Sequence, residues 1–210
     1  MKRALKVITL IIVVVLISSC SLYNLFPKKV ELAIYNQSHA PIEVSCAYID
    51  GYRTITIPKL SWVSTELKVY DKPTVIKLFI DGRYCDSVEE LIIDSSYESF
   101  IIEPNISWIA VHNMTGSILE LVGLTKYRSM SYMPEYSFWD SSGNLIGNSD
   151  IAPYQAKYIR MDKDDIDYIK EGYIKCWIGT KDYITKKTIK TPKPGFELDV
   201  YLHSSGLEEV

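Results

Sequence analysis

The sequence predicts an all-β protein built from two consecutive β-sandwich domains. Tyr, Ile, Val and Thr, which fit a pleated and half-buried strand, are abundant, with 16 Tyr among 210 residues. Apolar and polar residues alternate over short segments, and no long stretch repeats apolar residues at the period of a helix. An internal repeat sets the number of domains at two.

Two segments of the chain resemble each other without a gap. Residues 32–44 (LAIYNQSHAPIEV) match residues 109–121 (IAVHNMTGSILEL), and each copy begins with an alternating strand. Asn36 coincides with Asn113 at a predicted turn, where such a side chain can bond the local backbone. This accounts for the agreement without invoking a binding site.

A second match follows in the same order along the chain. Residues 76–80 (IKLFI) match residues 174–178 (IKCWI), but the two copies are further apart here than in the first match. The second copy therefore holds extra residues, which we place near 129–149. The sequence at 140–144 (DSSGN) predicts a tight turn, so the insertion is expected to form a β-hairpin. Chance similarity between short β segments is the alternative to a duplication.

The spacing of the predicted strands indicates a type of sandwich. Short strands with turn signals every 8–12 residues or so are typical of immunoglobulin-like or transthyretin-like domains. The Cys…Trp…Cys spacing of true immunoglobulin domains is absent from the sequence, so the expectation concerns architecture only. We place the first domain at 30–105 and the second at 106–205, joined without a flexible spacer.

The N-terminus has the parts of a secretory signal peptide. Lys2, Arg3 and Lys6 precede an apolar run at 7–17, and small residues follow it. This run is shorter than the roughly 20 residues that a membrane-spanning helix requires. A cleaved leader is therefore favoured over a permanent anchor.

The end of this leader resembles the lipobox of bacterial lipoproteins. Ile17-Ser18-Ser19-Cys20 gives an aliphatic residue, two small residues and a cysteine, although leucine and then glycine or alanine are more usual before the cysteine. The resemblance implies a signal peptide at 1–19, lipid attachment at Cys20 and a lipidated tether at 20–29. It also implies an extracytoplasmic protein on a bacterial membrane. An ordinary signal peptide with a cysteine nearby, or an uncleaved anchor, are the alternatives.

Charge bears on the class of partner. The chain carries 23 Lys and Arg against 26 Asp and Glu, and three of the basic residues belong to the leader. An excess of acidic residues does not favour binding to nucleic acid. We expect a membrane contact through the N-terminal lipid, together with a protein partner.

The remaining cysteines allow two interpretations. Cys46 and Cys85 both fall within the first predicted domain, where an extracytoplasmic compartment permits a disulfide. Alternatively, Cys46 and Cys176 are small buried residues on strands. Cys176 aligns with Leu78, which favours burial for Cys176.

The sequence offers no catalytic or metal-binding motif. His39, His112 and His203 lack the spacing of metal ligands, and neither a nucleophile elbow nor a phosphate loop is present. The acidic run at 162–165 is predicted to start a short helix or turn rather than to bind calcium. We therefore expect a non-enzymatic protein without a cofactor.

Aromatic residues are the remaining candidates for binding. Trp108 and Trp177 are expected in the core or at a domain interface, whereas Trp62, Trp139 and Tyr136 are candidate partner contacts. The sequence thus predicts a membrane-anchored interaction or scaffold module of the cell envelope. A lipoprotein that binds a small ligand or a glycan is the alternative.

Overall fold

The computed structural model describes residues 27–48, 51–70, 73–129 and 136–210. The predicted signal peptide and Cys20 lie outside the described residues. The described part of the chain is almost entirely β and contains one short α-helix, so the all-β prediction is confirmed.

The chain divides into two compact units. Among the described residues, unit 1 comprises 27–37 together with those within Pro41–Asp81 and Ser87–Ile102, and unit 2 comprises Ser38–Ala40, Gly82–Asp86 and those within Glu103–Val210. Two short segments inside the range predicted for the first domain therefore belong to unit 2. Sequence reasoning, which divides a chain at linkers, had no signal for them.

Unit 1 is a sandwich of two sheets. Its strands are β1 (Lys28–Asn36), β2 (Ile42–Tyr48), β3 (Gly51–Ile57), β4 (Ser61–Val69), β5 (Thr74–Gly82), β6 (Cys85–Ile93) and β7 (Tyr97–Ile102). Sheet A has the order β4-β1-β7, and sheet B has the order β3-β2-β5-β6. In sheet A, β1 pairs antiparallel with β4 and parallel with β7.

Alternation along the strands builds the core of unit 1. In β5, Ile76 and Leu78 are buried while Val75, Lys77 and Phe79 are exposed. Successive side chains of a strand point to opposite faces, so a period of two gives one apolar face to the sandwich interior. Burying each large apolar side chain contributes about 1.5–3 kcal/mol.

Unit 2 contains a five-stranded and a six-stranded sheet. Its strands are β8 (Ser107–Asn113), β9 (Leu119–Thr125), β10 (Phe138–Trp139), β11 (Leu145–Ile146), β12 (Asp150–Ile151), β13 (Ala156–Met161), β14 (Glu171–Ile178), β15 (Lys181–Thr185), β16 (Ile189–Lys190), β17 (Glu197–Leu202) and β18 (Leu207–Glu209). Sheet C has the order β11-β10-β13-β8-β17. Sheet D has the order β12-β9-β14-β15-β18, with β16 also paired to β14.

The helix of unit 2, α1 (Lys163–Tyr168), begins where the acidic run predicted it. The Asp162 side chain accepts a hydrogen bond from the Asp165 N–H, and the Asp165 side chain accepts one from the Asp162 N–H. This capping box satisfies two backbone donors at the helix start. Burial, together with the negative charge of Asp162, raises the pKa of Asp165 above its usual value.

The two units repeat one arrangement of strands. Sheet A (β4-β1-β7) corresponds to β13-β8-β17 of sheet C, including the parallel pairing of the last two strands. Sheet B (β3-β2-β5-β6) corresponds to β12-β9-β14-β15 of sheet D. The segments matched in the sequence lie on corresponding strands, which agrees with the predicted duplication.

The repeated asparagines have a wider role than the predicted turn. Asn36 and Asn113 are fully buried at the ends of β1 and β8. The Asn36 Nδ2 donates to the Ile57 carbonyl at the end of β3, and the Asn113 Nδ2 donates to the Ile151 carbonyl at the end of β12. Each asparagine therefore ties the two sheets of its sandwich together.

The predicted insertion contains a hairpin that extends sheet C. β10 and β11 pair antiparallel, and β10 also pairs with β13. The Asp140 carboxylate accepts hydrogen bonds from the backbone N–H groups of Ser142 and Asn144, and these bonds lower the pKa of Asp140. Gly143 adopts a φ of +81°, which the turn requires and glycine permits.

The C-terminal limit differs from the predicted 205. β18 pairs with β15 and places Leu207 in the buried cluster of unit 2, so this unit reaches Val210. The tail was missed because three residues are too few to show an alternating pattern.

Candidate functional site

The outer face of sheet A carries a row of large apolar side chains, of which two are exposed and the central one, Tyr35, is half-buried. Tyr35 lies opposite Trp62 on β4 and beside Ile101 on β7. Trp62 is 53% exposed and Ile101 is 52% exposed. The Tyr35 and Trp62 ring centroids are 5.0 Å apart with a tilt of 31°. We call Tyr35, Trp62 and Ile101 the aromatic row.

A polar groove lies next to the aromatic row on the same unit. It has a volume of about 400 Å³ and is lined by Lys29, Glu31, Ser64, Thr65, Glu66 and Ser96. The Lys29 Nζ and Glu66 Oε1 atoms form an exposed ion pair at 3.0 Å. Exposed pairs contribute little to stability, so these charges remain available to an incoming ligand.

The corresponding face of unit 2 has different chemistry. The positions of Tyr35, Trp62 and Ile101 are taken by His112, Ala156 and Tyr201. His112 stacks on Tyr201 with centroids 4.5 Å apart, and its Nε2 atom lies 2.7 Å from Asp199 Oδ1. Because alanine replaces the large tryptophan, only unit 1 presents the aromatic row.

Of the three predicted partner contacts, Trp62 alone is exposed. Trp139 is half-buried and packs edge-on against Trp108, with ring centroids 5.7 Å apart at 83°. The Arg160 guanidinium lies 5.4 Å from the Trp139 ring centroid. Trp139 is therefore less exposed than Trp62, since the hairpin that carries it is added to sheet C and its ring packs on Trp108.

Tyr136 is also half-buried and packs against the buried cluster of unit 2. Its ring lies directly over Gly123, whose φ is +140°. Tyr136 and Trp139, with Arg160, Asp162 and Asp165, also line a pocket of about 260 Å³. Both carboxylates of this pocket cap α1, each through one oxygen atom.

The other two tryptophans divide between core and surface. Trp108 is buried as expected, and its indole Nε1 donates to the Arg83 carbonyl at 2.6 Å. Trp177 was expected in the core or at a domain interface, and it is 38% exposed. It aligns with Phe79, which is also exposed, so the two positions agree and neither side chain lies in the core of its unit.

The cysteines are buried free thiols in the described chain, and the candidate disulfide between Cys46 and Cys85 is not formed. Burial raises the pKa of Cys85 to about 11 and that of Cys176 to about 12. Burial also raises the pKa of Cys46, against a smaller opposing effect of Arg53. These thiols are therefore protonated at neutral pH and are poor nucleophiles.

The described residues also bear on metal binding and on membrane crossing. No group of three or more His, Cys, Asp or Glu side chains that could hold a metal ion occurs there. Within the same residues, no helix is both long enough and apolar enough to cross a membrane.

Tyr35 and Ile101 were not among the predicted contacts. Tyr35 follows Glu31 and Ala33 at a spacing of two, and Glu31 marks the outward face of β1. This spacing of two was the sequence signal that could have placed Tyr35 on the outward face. The contribution of Ile101 could not be found in this way, because the parallel pairing of β1 with β7 is visible only in the structure.

Comparison with known proteins adds little. No family model matches the chain, and no curated protein matches it. Among solved structures, the chain is similar to the Bacillus anthracis TIE protein (7% identity, TM-score 0.30, covering 84% of this chain and 34% of that one). It is also similar to a DUF3823 family protein from Bacteroides ovatus (9% identity, TM-score 0.25, covering 78% of this chain and 97% of that one). At these TM-scores neither likeness contributes to an argument about function.

Proposed function

We propose that the chain is a lipid-anchored, non-enzymatic binding module of a bacterial cell envelope, which holds a protein partner on the outer face of sheet A. The observation that supports the binding role is the aromatic row, in which Trp62 and Ile101 are exposed. Trp and Tyr at the centre of a contact supply a large share of binding energy in protein interfaces. The lipobox-like end of the leader supports the anchor.

Anchoring is tested at Cys20. Two or more acyl chains make membrane attachment stable, because each buried CH₂ contributes about 0.8 kcal/mol. In Cys20→Ala we expect the protein to move from the detergent phase to the aqueous phase on phase separation. Its intact mass should no longer include a diacylglyceryl group. Unchanged partitioning and mass would contradict the lipoprotein proposal.

Partner binding is tested at Trp62. We expect Trp62→Ala to weaken capture of the partner by the membrane-anchored chain at least tenfold, or about 1.4 kcal/mol, because a central aromatic contact is lost. The fold should survive, since half of the side chain is already in solvent. Quantitative cross-linking of the anchored chain, followed by identification of the captured species, provides the measurement.

The matched control for this experiment is Trp177→Ala. Trp177 is an exposed tryptophan on unit 2, outside the aromatic row. Its removal should leave capture unchanged. Equal loss of capture in the two variants, or none in either, would contradict a binding site on sheet A.

Glycan binding is a second candidate function, favoured by the polar groove beside the aromatic row. A sugar ring could stack on Trp62 while its hydroxyl groups bond Glu31, Ser64 and Glu66. Soluble oligosaccharides that quench tryptophan fluorescence in the wild type, but not in Trp62→Phe, would favour this candidate over the protein partner.

A further inference from the structure

We propose that two copies of the chain form a two-fold symmetric dimer by pairing their β4 strands antiparallel, with Thr65 at the symmetry axis. This inference concerns the edge of sheet A and does not rest on the proposed function, which uses its outer face.

The outer edge of β4 is open in the described chain, whereas its counterpart in unit 2 is covered. β4 pairs with β1 alone, and the corresponding strand β13 has β10 on its second side. In that pairing Phe138 lies opposite Ile159, the residue that corresponds to Thr65. The protein thus covers this edge in one unit with an antiparallel strand of its own, and it leaves the equivalent nine-residue edge of the other unit unpaired.

The backbone of β4 is set for such a pairing. The Glu31 N–H donates to the Ser96 carbonyl on the side of β7, so Glu31 does not exchange hydrogen bonds with Glu66, its opposite residue on β4. The N–H and C=O groups of Glu66 therefore point away from β1. The Glu66 carbonyl accepts a long hydrogen bond of 3.4 Å from Arg53 Nη1, which agrees with this direction. Ser64, two residues away, has the same orientation.

The sequence of β4 is self-complementary about Thr65. In an antiparallel pair centred there, Ser64 lies opposite Glu66 of the second copy, and their outward N–H and C=O groups exchange hydrogen bonds. Val63 then lies opposite Leu67 of the second copy on the inner face. No two like charges are directly opposed in these pairs.

Thr65 supplies the observation that fixes the axis. Its side chain is 4% exposed, and within the described residues its buried hydroxyl has no hydrogen-bond partner. Leaving a buried hydroxyl unpaired costs about 1–3 kcal/mol. At the axis the two Thr65 residues form a non-hydrogen-bonded pair of the antiparallel ladder, in which the side chains are close. One Thr65 hydroxyl then donates a hydrogen bond to the other.

The first test measures self-association of the full chain. Sedimentation equilibrium in a density-matched detergent should show a monomer–dimer equilibrium at concentrations up to about 100 μM. Ser64→Pro removes an outward N–H without removing a hydrogen bond to β1, so it should raise the dissociation constant at least tenfold. Ser64→Ala keeps that N–H and should dimerise like the wild type. A monomeric wild type, or equal association of the proline variant, overturns the proposal.

The second test locates the axis independently of the proline variant. Residues opposed in a non-hydrogen-bonded antiparallel pair have Cα atoms about 4.5 Å apart, which is within the range for a disulfide. Thr65→Cys should therefore give a disulfide-linked dimer on mild oxidation. Ile159→Cys is the matched control, because β10 already pairs with the strand that carries Ile159. This variant should give no more disulfide-linked dimer than the wild type. Absence of a linked dimer from Thr65→Cys, or equal yields from the two variants, overturns the proposal.

Discussion

Asn113→Ala is expected to destabilise unit 2 by about 3 kcal/mol. The Asn113 Nδ2 donates to the Ser117 and Ile151 carbonyls, each at 2.8 Å, and its Oδ1 accepts from the Thr115 N–H and Oγ1 at 2.9 and 2.7 Å. Alanine removes all four hydrogen bonds and leaves buried backbone and hydroxyl groups without this partner. Each such group costs roughly 1–3 kcal/mol, and local rearrangement recovers part of the total. Urea unfolding followed by tryptophan fluorescence measures the loss.

The control for Asn113 is Asn144→Ala. Asn144 is exposed, and its Nδ2 donates to Asp140 Oδ2 at 2.9 Å. Water replaces such a bond, so the expected loss is below about 0.5 kcal/mol. If the two variants lost the same stability, the buried asparagine would not be tying the sheets together. Asn36→Ala should destabilise unit 1 in the same direction as Asn113→Ala destabilises unit 2.

Gly123→Ala is expected to destabilise unit 2 by about 2–4 kcal/mol. β9 carries a bulge at this point, because Lys175 lies opposite Gly123 while Cys176 lies opposite Leu121. Gly123 has a φ of +140°, and a Cβ atom added there would overlap the ring of Tyr136. The substitution therefore combines backbone strain with overpacking. Thermal unfolding followed by circular dichroism measures the effect.

Two further variants separate these causes. Gly116→Ala is the control, since a Cβ there meets no atom within 4 Å and its φ is not in the left-handed region. It should leave stability nearly unchanged. In the double variant Gly123→Ala with Tyr136→Ala, the overlap is gone, so the loss should be smaller than the sum of the single losses. If the two stability losses were strictly additive, the Tyr136 ring would not be what excludes a side chain at position 123.

Structural features that depend on residues close together in the chain were predicted well. Alternation located the strands, the DSSGN segment located the β10–β11 turn, and the acidic run at 162–165 located the start of α1. These features follow from strand parity, turn chemistry and helix capping, which involve residues only a few positions apart.

The burial of side chains, which depends on strands far apart in the chain, was predicted poorly. Trp177, expected in the core or at a domain interface, is exposed, while Trp139, a candidate partner contact, is half-buried and packs on Trp108. A period of two identifies two faces of a strand but does not say which face another sheet covers. Gly123 gave a usable signal, because a lone glycine inside an apolar strand often marks a bulge.

The sequence by itself determined the all-β class and the presence of two similar segments, and it predicts a lipobox-like leader, because each of these depends on local periodicity or on a short motif. The tertiary structure decided which aromatic residues are exposed and which sheet edges are open. Tyr35, Trp62 and Ile101 form one row only because β1 pairs with β4 on one side and β7 on the other. Among the described strands, the edge of β4 is open because the covering hairpin belongs to unit 2.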